Sequence, residues 1–262
     1  MGRNKAKTLY WVWKKYRTDR WGEKLKEVGV ISEEDVNGFL RLVGAREEEI
    51  RAYKLGWFVS KVLEECYKGR FIELDVGAIE GIIGVGYELD WDGIIYVRGT
   101  VSEDVGSFMK DGIIVVDGVV EGFVGARMKG GLVVVNGDVG GNVGSAMEGG
   151  FVYIEGEANK YVGYEMEGGE IVIDGDVSKD VGWRMKGGLV VVEGNVGGEV
   201  GSWMEGGEVV VNGCVGDSIG GGMKGGNIIV DGVIKKRDWL EELGSGGLVV
   251  NNGFVYLGRN AR

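Results

Sequence analysis

The chain has 262 residues, 53 of them glycine, with no proline, no histidine and no glutamine. Its formal charge is −11, yet residues 1–27 carry nine basic against three acidic side chains, so the rest is strongly acidic and a poor general binder of nucleic acid. Without histidine there is no His-based triad and no His-ligated zinc; Cys66 and Cys214 have no metal-like spacing, which fits a reducing, cytoplasmic compartment.

Residues 1–70 show no repeat and read as helical. Leu9, Trp11, Trp13, Tyr16 and Trp21 belong to a first helical segment, and Ser32-Glu33-Glu34-Asp35 has the form of a capping box. A further helix is predicted over 47–67, with Gly56 weakening its middle by about 1 kcal/mol. The region is expected to cover the open end of the β-rich remainder of the chain. A docking role for another protein is also open, through Trp11, Trp13, Arg17 and Trp21, since aromatic residues beside arginine are frequent interface anchors. The basic start has no apolar h-region, so it is not read as a signal peptide, and no apolar run approaches the roughly 18 residues of a membrane span. High Lys and Glu with few thermolabile residues fits a thermophile.

Phe71-Ile72-Glu73-Leu74 leads into a β-helical region predicted over 71–262. Over 92–233 the sequence repeats every 19 residues. Methionine recurs at Met109, Met128, Met147, Met166, Met185, Met204 and Met223, each three residues after a glycine. Each repeat also carries a segment such as Gly131-Leu132-Val133-Val134-Val135-Asn136-Gly137, with aliphatic residues two and four places after the first glycine. Alternation of period two with β-branched residues indicates a strand with one buried face, and this density of glycine would melt a helix. The fold class is therefore mainly β: a right-handed parallel β-helix of 19-residue coils, the handedness following the usual crossover rule. With coils about 4.8 Å apart the rod is roughly 40 Å long. A helical insertion is expected over 235–245 and a last strand over 247–257.

Two columns invite a chemical reading. Stacked thioethers would suit a soft metal, but methionine in line with valine columns is better read as core filler. The exposed column Arg98, Asp117, Asn136, Glu155, Asp174, Glu193, Asn212, Asp231 offers oxygen ligands for Ca²⁺, although interspersed neutral residues fit a solvated face better. The column after methionine mixes signs and reads as a ladder of weak ion pairs. No catalytic, cofactor-binding or metal-binding residue is assigned.

The repeat as it stands in Met128 to Gly144 resembles the GXGXG repeat family. That family comprises the carboxy-terminal β-helix of the glutamate synthase large subunit and the β-helical subunit of formylmethanofuran dehydrogenase. The unbroken Met-x-Gly-Gly spacing and short length look closer to the dehydrogenase subunit. The resemblance implies an architectural subunit with no flavin, iron–sulfur cluster or metal of its own. It leads us to expect a non-catalytic scaffold in a cytoplasmic oxidoreductase complex, contacting other protein subunits through its strand faces and amino-terminal segment. Three alternatives stay open. One is a glutamate-synthase-like accessory subunit with separately encoded amidotransferase and synthase partners. Another is a carbohydrate-binding β-helix presenting Tyr96, Tyr153, Tyr161, Tyr164, Trp183 and Trp203. The last is a homo-oligomer held through Trp183 and Trp203.

Overall fold

A computed structural model describes residues 5–15, 21–44, 52–76, 82–235 and 244–257. Each repeat is one coil of a β-solenoid. The predicted strand of each coil forms, and it pairs in parallel with the same strand of the next coil. These strands are β1 (Phe71–Asp75), β2 (Asp90–Arg98), β3 (Asp111–Asp117), β4 (Leu132–Val135), β5 (Phe151–Ile154), β6 (Glu170–Ile173), β7 (Leu189–Val192), β8 (Glu208–Val211), β9 (Asn227–Val230) and β10 (Leu248–Asn251). From β3 to β9 the register is the repeat itself, Val133 opposite Val152 and Val152 opposite Ile171. Two further ladders of single parallel bridges run from Val101 to Ile234 and from Val105 to Ile219. The valines of both ladders are buried from coil to coil, and each one so removed from water contributes about 1.5–3 kcal/mol before entropy is set against it.

The methionine and glycine columns are two halves of one packing. All seven repeat methionines are essentially inaccessible to solvent. A Cβ placed on Gly131 would stand 2.7 Å from the terminal methyl of Met109; the same holds for Gly150 and Met128 at 2.9 Å and for Gly169 and Met147 at 2.8 Å. Each thioether methyl thus seats in the space that the next coil's glycine leaves open. At the corner before each methionine, a tight turn closes with the Met109 N–H donating to Gly106 C=O at 3.2 Å. Gly106 has φ +65°, as a glycine column predicts, but Phe108, Arg127, Ala146, Glu165, Arg184 and Trp203 also lie at φ between +51° and +59°. Left-handed backbone costs a residue with a Cβ roughly 1 kcal/mol, and here it recurs coil after coil.

The helices are α1 (Lys5–Lys15), α2 (Trp21–Lys26), α3 (Glu33–Gly44) and α4 (Ala52–Cys66). They share one continuous hydrophobic core with the solenoid, through Leu9, Phe39, Leu55, Phe58 and Leu63. Ser32 caps α3 as predicted: its N–H donates to Asp35 Oδ2 at 2.9 Å and its Oγ accepts from the Asp35 N–H at 3.2 Å. α3 then covers the free edge of β1, where Asn37 Nδ2 donates to Glu73 C=O at 2.7 Å and Glu33 Oε1 accepts from Glu73 N–H at 3.2 Å. Side chains here stand in for the missing neighbour strand. α4 packs so closely on the first coil that the Gly56 N–H donates to Ile83 C=O at 3.0 Å.

Two features depart from the sequence expectations, the extent of α4 and the closing strand. The helix expected over 47–67 spans Ala52–Cys66; residues 47–51 lie outside the described residues. Within the region predicted over 71–262, the solenoid starts ahead of the regular repeat: Gly86-Tyr87-Glu88-Leu89 makes the same corner with Leu89 in the methionine place, and β1 supplies a first strand. The single last strand is instead a hairpin: β10 turns through Asn252 (φ +47°) and Gly253 (φ +77°) into β11 (Phe254–Leu257), which runs antiparallel to it. An Asn-Gly pair in this conformation is the type I′ turn that hairpins favour. Most of the insertion expected over 235–245 lies outside the described residues.

Candidate interaction surface

A strand buried on one face should be polar on the other. This sheet is not. From β2 to β9 its outward side chains form two columns, which Phe71 and Glu73 of β1 and Leu248 and Val250 of β10 extend. The first is Ile94, Ile113, Leu132, Phe151, Glu170, Leu189, Glu208 and Asn227; the second is Tyr96, Val115, Val134, Tyr153, Val172, Val191, Val210 and Ile229. Except for exposed Asn227, all are half-buried against one another. With strands about 4.8 Å apart and about 3.4 Å per residue, the face covers roughly 500 Å², at the upper end of what a lone soluble protein leaves open. Glu170, Glu208 and Asn227 interrupt the first column and Glu73 of β1 stands beside Tyr96 in the second, so the face is free of charge only from β2 to β5.

Its margins are charged. Along one edge runs the column Arg98, Asp117, Asn136, Glu155, Asp174, Glu193, Asn212, Asp231, all exposed. Tyr96 donates to Asp117 at 3.1 Å and Tyr153 donates to Asp174, and these bonds hold both phenols above their usual pKa. Along the other edge, ion pairs join neighbouring coils: Lys186–Glu167 at 2.7 Å, Lys224–Glu205 at 3.0 Å and Lys129–Glu148 at 3.7 Å. Lysine lowers the Glu167 and Glu205 pKa values, mainly through the side-chain hydrogen bond. These are the predicted surface ladders. At another corner carboxylates bind backbone: Asp138 accepts from Glu157 N–H at 2.9 Å and Asp176 from Asn195 N–H at 2.7 Å. Among the described residues no group of three or more Cys, Asp or Glu is placed to hold a metal ion.

The tryptophans singled out in the sequence are scattered. Trp13 is 8% exposed and packs edge-on against Phe39 at 6.0 Å, because Leu9, Val12 and Trp13 share the inner side of α1. It is therefore core and not an anchor. Trp183 is half-buried between Tyr161 (5.6 Å) and Tyr164 (5.9 Å), with its indole nitrogen enclosed and unpaired. Trp203 is 53% exposed, beside an open hollow of about 450 Å³ lined by Glu165, Arg184, Lys186, Glu205 and Lys224. The side chains of Trp11 and Trp21, and all of Arg17, lie outside the described residues. Contact through the strand faces is expected from the sequence, and of the residues there only Tyr96 and Tyr153 are singled out in it. The signal for them is the apolar position between the two buried ones in each strand.

No protein-family model matches the chain, and no curated protein matches it. Solved structures do. The chain is similar to one in the formyltransferase/hydrolase complex from Methylorubrum extorquens, determined in complex with methylofuran. The two are 28% identical with a TM-score of 0.49, over 56% of this chain and 58% of that one. The match spans little more than half of that relative's length. No helix among the described residues is long and apolar enough to cross a membrane.

Proposed function

We propose that this chain is a non-catalytic scaffold subunit of a multi-subunit cytoplasmic oxidoreductase of the formylmethanofuran-dehydrogenase kind, whose β-helical subunit its Met-x-Gly-Gly repeat resembles. The observation that carries the reading is the apolar outer face of the sheet. The solenoid already fills its interior, so outward Val134, Val172, Val191 and Val210 add little to folding and are suited to contact. Catalytic and cofactor chemistry is assigned to the partners, and this chain brings them together.

The test is native purification from the source organism through a mild tag, followed by the mass and metal content of what accompanies the chain. Co-purification with a large enzyme containing molybdenum or tungsten and iron supports the reading. A flavin-containing synthase with a separate amidotransferase would move the chain to the glutamate-synthase side. A metal-free chain with no foreign partner would overturn the scaffold role.

A further inference from the structure

The apolar half of the outer face is self-complementary, and we propose that it closes on a second copy of this chain. Consider a twofold axis parallel to the strands, midway between β3 and β4. It turns the two rods antiparallel and lays the same columns on each other. Ile113 then meets the partner's Leu132, Val115 the partner's Val134, Ile94 the partner's Phe151 and Tyr96 the partner's Tyr153. Moving the axis toward the carboxy end brings Glu170 or Glu208 into the contact, so the centre is set by where the face is free of charge.

The exposed margin agrees with this axis. Arg98 faces the partner's Glu155, and Asp117 faces the partner's Asn136, each pair occurring twice. Glu155 and Asn136 have no side-chain hydrogen bond or ion pair among the described residues, whereas Arg98 holds Glu73 at 2.6 Å and Asp117 accepts from Tyr96. The acidic column carries its one cation, Arg98, where the twofold sets it against a carboxylate. On the opposite margin Lys110 comes near the partner's Lys129, but each has its own acid, Asp90 at 3.3 Å and Glu148 at 3.7 Å.

Packed sheets cross at about −30°, which confines contact to the strands near the axis. Four strands by four residues give roughly 260 Å² of projected face per copy, well under a standard interface, so the dimer is weak. Valines of β6 to β9 stay outside it. The inference does not depend on the scaffold role and is tested on the purified chain alone.

Sedimentation equilibrium and light scattering should show the mass rising from 28.2 kDa toward twice that value, with a midpoint on the order of 10–100 µM. Leu132→Lys should give a monomer with an unchanged far-UV spectrum. Arg98→Glu and Glu155→Arg should each weaken association about tenfold, and the two together should restore it. Trp203→Ser should leave it intact. A chain that stays monomeric to about 1 mM overturns the proposal. So does a dimer that survives Leu132→Lys, or a double charge reversal that fails to recover.

Discussion

Gly56→Ala separates two physical arguments that predict opposite signs. In an exposed helix interior, glycine to alanine stabilises by about 1 kcal/mol. Gly56, however, lies where α4 touches the first coil. A methyl carbon there would sit 2.5 Å from the Val85 nitrogen and closer still to the Ile83 oxygen and the Gly84 carbonyl carbon, all of them backbone atoms. Ordinary contact needs about 3.5 Å, so α4 must retreat by about 1 Å. That retreat strains the 3.0 Å hydrogen bond from Gly56 to Ile83 and loosens Leu55, Phe58 and Val59. Overpacking of this kind costs about 1–3 kcal/mol and a weakened buried hydrogen bond about 1 kcal/mol more. After the helix-propensity gain, a net loss of about 1–3 kcal/mol remains. At about 2–4 °C per kcal/mol, the helical region should melt about 2–12 °C lower, followed by near-UV circular dichroism from its tryptophans. Amide exchange should quicken in α4 and leave β4 to β8 unchanged. Gly38→Ala, whose methyl would meet only the Ala6 methyl at 3.1 Å and the far end of Arg41, is the control. If Gly56→Ala raises the melting temperature, the close docking of α4 is wrong.

Other expectations are simpler. Ala146→Gly relieves a left-handed residue at φ +51° and should stabilise by about 0.5–1 kcal/mol in a denaturant melt, where a helical or extended site would lose stability. Met147→Ala should cost about 2–4 kcal/mol and Met147→Leu under about 1.5; a cost below about 1 kcal/mol for alanine would contradict the seating of its methyl beneath Gly169. Burial, then the neighbouring Glu65 carboxylate, pushes the Cys66 thiol up to about 11, and its proton is donated to Leu25 C=O at 3.2 Å. The unfolded thiol ionises near 9, so this contribution is intact below pH 9 and is lost as pH rises toward 11. The wild-type melting temperature should therefore fall faster between about pH 9 and 11 than that of Cys66→Ala. A thiol reagent at about pH 8 should modify half-exposed Cys214 and spare Cys66 until unfolding.

What the sequence discloses most readily is what recurs. Columns spaced by 19 residues have to stack, and the valine alternation has to make a one-sided strand, so the solenoid follows from segments like Gly131 to Asn136. The first coil escapes this reading because Leu89 replaces methionine and the spacing from Leu89 to Met109 is 20 instead of 19. The closing hairpin is legible in Asn252-Gly253, although glycine spacing alone points to one strand. The left-handed corner at Phe108, Arg127 and Trp203 is not legible in those coils, since glycine takes its place only at Gly222 (φ +64°) and the turn is imposed by the coils above and below. Trp13 misleads for a different reason: one apolar stripe on α1 serves equally as core or as contact, and only packing against Phe39 decides. Gly56 looks like a flaw in a helix until its neighbour across the interface is known.

The fit of each methionine methyl beneath the next coil's glycine makes the coils interchangeable. Excising residues 132–150 would bring Met128 under Gly169, a partner chemically identical to the one it lost, and no new surface would be created. The rod would simply shorten by about 4.8 Å. The distance between the helical end and the terminal hairpin is thus graduated, one coil to a step. The length of a chain built this way changes by whole coils while the seating of methionine under glycine stays the same.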